Sequence, residues 1–138
     1  MKAFLVILFS TFSLALFAQE TAQIVSFGEG FKLKYQDKEY DVVISGGTPS
    51  FKKVLDYPGP GVKLLVYFSG TAGTFRPIDI ERAIVLDRKT GVNYGDYPYS
   101  YRPIDGTTYP QPKWEFKKKS VTIVDETFEI NKVINIGN

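Results

Sequence analysis

The run Val62 to Ser69, Val-Lys-Leu-Leu-Val-Tyr-Phe-Ser, constrains the fold more than any other stretch. Its alternate sets, Val62, Leu64, Val66, Phe68 and Lys63, Leu65, Tyr67, Ser69, are both largely apolar, which is the pattern of a strand covered on both faces. A strand with one wet face would place a polar side chain at every second position. The other segments read as strands gathered around this one.

Phe31, Leu33 and Tyr35 alternate with Lys32 and Lys34. After Gln36-Asp37 the pattern resumes with Tyr40, Val42 and Ile44 against Glu39, Asp41 and Ser45, so the two runs read as an antiparallel hairpin. Ile24 to Phe27 adds a short strand to it. Ala83 to Leu86 is again apolar on both faces, Asp87 to Gly91 is turn chemistry with Gly91 placed for a positive φ, and Val92 starts a return strand. Near the end, Trp114 and Phe116 alternate with Lys113, Glu115 and Lys117, and Val121 to Val124 and Phe128 to Ile136 flank Asp125-Glu126-Thr127 as a second hairpin. One segment reads differently: Thr48 is a helix cap, Pro49 suits a first helical position, and Phe51, Val54 and Leu55 fall at i, i+3, i+4, which predicts a helix from Pro49 to Asp56. Tyr94 to Pro112 is poor in aliphatics and reads as a long surface segment or ragged sheet edge. The fold class is therefore all-β and mainly antiparallel: a single-domain sandwich or small barrel of about eight strands, with one short helix near residues 49–56.

Met1-Lys2 followed by an apolar block from Ala3 to Phe17 has the layout of a secretory signal peptide, with Ala18 as its last residue. Residues 1–18 are then a cleaved leader and 19–138 a single β domain of about 120 residues, enough for one core. The predicted address is extracytoplasmic, periplasmic or secreted, and a chain with no cysteine fits a bacterial periplasm or surface better than a disulfide-rich secretion. Removing Lys2 from the 17 basic residues leaves them one ahead of the 15 acidic ones, so net charge makes no case for nucleic acid or an anionic membrane. No stable membrane insertion is expected after processing. The basic run Lys117-Lys118-Lys119 reads as a solvated edge.

The chain has no histidine. With cysteine also missing, this removes Ser-His-Asp and Cys-His nucleophile systems and metal sites built from His or Cys, so neither a metal nor another cofactor is expected. Ser50-Phe51-Lys52-Lys53 matches S-x-x-K and Lys89-Thr90-Gly91 matches K-T-G of the serine penicillin-binding signatures, but the middle element has no counterpart and no role is carried over. Two acid pairs, Glu39 with Asp41 and Asp79 with Glu81, lie two residues apart, roughly 7 Å on a strand, a spacing open to a carboxylate-dependent hydrolase. Phe75-Arg76-Pro77-Ile78-Asp79 and Tyr101-Arg102-Pro103-Ile104-Asp105 repeat aromatic-Arg-Pro-Ile-Asp. The repeat is read either as two strand leads with local polar contacts or as a two-fold arrangement of equivalent Arg/Asp pairs.

The candidate ligand-binding residues are Tyr94, Tyr97, Tyr99, Tyr101, Arg102, Asp105 and Tyr109. In an extended chain Tyr97, Tyr99 and Tyr101 point the same way, and flat rings with a polar tip suit sugar stacking or a protein interface. The blander assignment has them covering a sheet edge, with Pro98 blocking further pairing. The expectation is a non-enzymatic binding domain with a glycan or protein ligand at this segment. A lipocalin-like carrier is the second reading, with Phe31, Leu33, Val66, Phe68 and Trp114 lining an internal pocket.

Overall fold

The computed structural model describes residues 21–137; the leader predicted over residues 1–18 lies outside them. Ten strands run in order: β1 (Gln23–Phe27), β2 (Gly30–Tyr35), β3 (Lys38–Asp41), β4 (Ser50–Tyr57), β5 (Val62–Ala72), β6 (Ile78–Asp87), β7 (Asn93–Pro103), β8 (Lys113–Lys117), β9 (Ser120–Asp125) and β10 (Ile130–Asn135). They form three antiparallel sheets, ordered β1-β2-β3, β4-β5-β6-β7 and β10-β9-β8. All-β and antiparallel hold. The eight-strand single sandwich or barrel is replaced by three sheets, and among the described residues there is no helix.

The four-stranded sheet is the middle layer. Val62, Leu64 and Val66 of β5, with Ala83 and Val85 of β6, pack against Val121, Ile123, Ile134 and Ile136 of the β8–β10 side. Leu65 and Tyr67, with Ile84 and Leu86, pack on the other face against Leu33, Tyr35 and Tyr40. The two-sided pattern of β5 and β6 thus corresponds to two separate cores, one per face.

Ser50–Tyr57 is a strand where a helix was expected. A bulge explains the misleading spacing: Phe51 pairs with Tyr67 and Lys53 with Val66, so Lys52 is an extra residue. That extra residue puts Phe51 and Val54, three apart, on one face, where both pack on the core beneath β1–β3. Leu55 falls on the opposite face. The helical signature therefore came from a strand with one residue inserted.

A second bulge lengthens β5 past Ser69, since Phe68 pairs with Glu81 and Gly70 with Ile80. Here the segment after β3 crosses the strand: Ser45 N–H donates to the Ser69 carbonyl at 2.8 Å and Thr71 N–H to the Gly46 carbonyl at 2.9 Å. Gly70 has φ 123°, and a Cβ there would stand 2.0 Å from the Gly46 carbonyl oxygen, so only glycine fits. Buried polar groups lock the same crossing. Tyr67 Oη accepts from Val43 N–H at 2.8 Å and donates to Asp96, which Arg82 Nε also meets at 2.6 Å. Burial raises the Asp96 carboxyl above its ordinary range, opposed by Arg82 and Tyr67.

Candidate functional site

Overlapping Tyr94 to Pro112, read as a surface segment or a ragged sheet edge, Asn93–Pro103 is an eleven-residue edge strand paired with β6. Tyrosine here supplies the burial that aliphatic residues supply elsewhere. Tyr94, Tyr97 and Tyr99 pack on the core between the middle sheet and β8–β10. Trp114 meets Tyr97 and Tyr99 in T-shaped contacts at 6.5 and 5.8 Å, and its Nε1 donates to the Pro98 carbonyl at 3.0 Å. The series continues inward, Trp114 on Phe116 at 6.0 Å and Phe116 on Tyr57 at 4.0 Å.

Tyr101 is only 4% exposed. Its hydroxyl donates to Asp125 at 2.6 Å, and its ring meets Tyr109 at 5.6 Å and Phe128 at 6.0 Å. Burial, then Asp125, raises the Tyr101 hydroxyl well above its ordinary pKa, so it stays a proton donor in this bond. The rings of Tyr97, Tyr99 and Tyr101 are therefore committed to packing, and the exposed stripe expected from the alternation is not formed. Burial likewise raises the Tyr97 and Tyr99 hydroxyls. Tyr94 Oη is held between Asp87 at 3.1 Å and the Gly137 N–H at 3.3 Å.

Sequence reasoning missed Gln111, which pairs the free side of β7 at Tyr101. Its Oε1 accepts the Tyr101 N–H at 2.8 Å and its Nε2 donates to the carbonyls of Tyr101 at 2.7 Å and Tyr109 at 3.2 Å. One amide side chain thus copies the hydrogen bonding of a neighbouring strand. Nothing local in the sequence marks it.

Arg102 and Asp105 belong to a different surface, where the two aromatic-Arg-Pro-Ile-Asp copies lie antiparallel beside each other. Asp79 pairs with Arg102 and Ile78 with Pro103, and the Ile104 N–H donates to the Pro77 carbonyl at 3.1 Å. The register gives a local two-fold: Arg102 of the second copy meets Asp79 of the first at 2.7 Å. In the reciprocal relation Arg76 draws Asp105 down, after Thr107, whose hydroxyl and N–H both bond the Asp105 carboxylate at 2.7 and 3.0 Å. The aromatic positions break the symmetry, because Tyr101 is buried while Phe75 is 95% exposed. Ile104, of the second copy, is 58% exposed.

Next to this pair is a pocket of about 140 Å³ lined by Lys52, Phe68, Asp79, Glu81, Ser100 and Arg102. Lys52 Nζ lies over the Phe68 ring at 5.8 Å. Asp79 accepts from Thr71 Oγ1 at 2.7 Å as well as from Arg102, and these bonds hold its carboxyl below the usual range. Glu81 accepts from Ser100 Oγ at 3.1 Å. Such an arrangement keeps Asp79 an ionised partner, whereas general acid work needs a raised pKa. The other acid pair is split: Glu39 faces Lys34 at 3.6 Å and Asp41 bonds Lys32. Ser50 and Lys89 stand at opposite ends of the middle sheet, so the S-x-x-K and K-T-G strings do not meet.

No protein-family model matches the chain, and neither a curated protein nor a solved structure matches it.

Proposed function

We propose that this is an exported, non-enzymatic binding domain whose ligand-bearing surface is the end of the middle sheet where the two aromatic-Arg-Pro-Ile-Asp copies meet, and that its ligand is a protein. The observation that carries the reading is Phe75, a large apolar ring 95% exposed, with Ile104 of the paired second copy 58% exposed. Aromatic and arginine side chains dominate the energetics of protein interfaces, and Arg76 and Arg102 belong to the same two copies as the exposed Phe75 and Ile104. Fixed backbone supports the loop: Pro77 and Pro103 stiffen the leads, and the Ile104 to Pro77 hydrogen bond ties them together.

Tyr97, Tyr99 and Tyr101 serve this surface from beneath, anchoring β7 to the layer below, while Arg102, Asp105 and the half-buried Tyr109 stand at its margin. A glycan platform lays its ring flat on the surface, whereas Phe75 projects, which suits insertion into a partner's pocket. The carrier reading draws no support, because Leu33, Val66 and Trp114 are packed into the two cores. The test is a binding screen of envelope and secreted proteins beside a glycan array, using the processed protein and its Phe75→Ala and Ile104→Ala variants. A protein ligand lost in both variants, with unchanged melting, supports the proposal. Binding that survives both substitutions, or glycan binding alone, rejects it.

A further inference from the structure

At the opposite end of the molecule the turns between β2 and β3, β4 and β5, β6 and β7, and β8 and β9 come together. Lys38 Nζ donates to the Thr90 carbonyl at 3.3 Å, the Arg88 N–H to the Gly61 carbonyl at 2.9 Å, and the Ile136 N–H to the Lys119 carbonyl at 3.0 Å. A cleft of about 370 Å³ opens between Pro58–Gly61, the Asp87–Thr90 turn, Lys119 and Ile136. A smaller neighbour shares Arg88 and Lys89 and adds Lys38 and Lys63. The run Lys117-Lys118-Lys119 is not the solvated strand edge it reads as: Lys117 ends β8, and Lys118-Lys119 are the turn itself.

From this placement we infer that the turn end is a binding surface for an acidic polysaccharide. Lys118 and Lys119 belong to the β8–β9 turn, Lys89 to the turn after β6 of the middle sheet and Lys38 to the third, so these lysines lie on all three layers, about 20 Å at two sheet spacings. That length suits an extended polyanion better than a single ion.

Of Asp87, Asp56, Glu39 and Asp37, all but the last are already engaged. Asp87 spends one oxygen on the Lys89 and Thr90 N–H groups at 2.9 and 3.0 Å and the other on Tyr94. Asp56 is bound twice by Arg88, at 2.8 and 3.3 Å, and Glu39 faces Lys34. Asp37, in the β2–β3 turn, is the carboxylate left beside Lys38. By contrast, among the described residues no carboxylate forms an ion pair with Lys89, Lys118 or Lys119. Lys119 also holds φ 59°, a left-handed conformation that glycine adopts without strain and lysine does not. The cleft floor carries Gly59 and Gly61, so a sugar ring can lie close to the backbone.

A nucleic acid would call for free aromatic faces as well as cations. Among the described residues none is offered at this end: Tyr35 is buried, Tyr57 is stacked on Phe116, and Tyr94 is packed on the core. The experiment measures binding of the processed protein to a polygalacturonate hexamer and a heparin-derived hexamer at low and physiological salt. A neutral glucan hexamer, single-stranded DNA and vesicles rich in anionic phospholipid run alongside. The acidic hexamers bind and weaken with salt, and Lys89→Gln with Lys119→Gly together weaken them about tenfold and flatten the salt dependence by roughly two charges. Lys119→Gly melts no lower than the parent, which separates the loss from misfolding. Binding of DNA or vesicles without the acidic hexamers overturns the inference, as does hexamer binding indifferent to both substitutions, or no hexamer binding at low salt.

Discussion

Removing one oxygen atom at Tyr101 tests whether the tyrosines of β7 are interior groups. Asp125 is 2% exposed, and its one short bond is the 2.6 Å contact from Tyr101; the Thr127 and Phe128 N–H groups reach it only at 3.3 Å. Tyr101→Phe keeps the ring against Tyr109 and Phe128 and deletes that donor. A hydrogen bond to a charged group contributes about 1.5–3 kcal/mol, so the loss should be about 2 kcal/mol. At roughly 2.1 cal/mol/K per residue, a domain of about 120 residues has an unfolding entropy near 0.25 kcal/mol/K, and the melting temperature should fall by about 8 °C. Calorimetry and urea titration measure this directly. A cycle with Asp125→Asn should show about 1–2 kcal/mol of coupling between the two sites. A fall of less than about 1 °C, or strictly additive single effects, would refute the assignment of a buried phenol–carboxylate bond.

Other outcomes follow from the same structure. Leu64→Ala and Leu65→Ala, on opposite faces of β5, should each cost about 2–5 kcal/mol in urea unfolding; a near-neutral result for either would mean that one face is not covered. Gly70→Ala should destabilise by about 3 kcal/mol or more, because the added Cβ meets the backbone of Gly46, and a folded variant with parental stability would contradict the crossing. Hydrogen bonds hold the Asp79 and Asp87 carboxyls below the ordinary range, so the unfolded chain binds more protons there. Their contribution is complete above about pH 4 and is lost as the pH falls through the lowered pKa values. Asp87→Asn should therefore shrink the acid-side drop in stability, and an unchanged drop would count against the turn bonds.

How much of this was legible varied with how far each signal lay from its cause. β5 could be recognised because both of its alternate sets are apolar, which a one-sided strand does not tolerate. The hairpin β2–β3 was readable from Gln36-Asp37, whose φ values of 48° and 62° suit a tight two-residue turn between twisted strands. β4 was misread because the bulge at Lys52 gave a strand the spacing of a helix. Tyrosine is ambiguous by nature, an apolar body with a polar tip, and which end dominates depends on partners distant in sequence. Asp125 and Trp114 settle that for Tyr101, Tyr97 and Tyr99, and no local pattern reveals them. The Arg-Pro-Ile-Asp repeat was visible as a repeat, but only the register of β6 with β7 shows that its two copies pair with each other.

The claim on which the account most depends is that β5 lies in a middle sheet covered on both faces. Native-state amide hydrogen exchange tests it residue by residue. The amides of Leu64, Leu65, Val66 and Tyr67 should exchange only through global unfolding, slowest in the protein and well behind those of the edge strands β1 and β10. Exchange in residues 64–67 as fast as in those edges would contradict it.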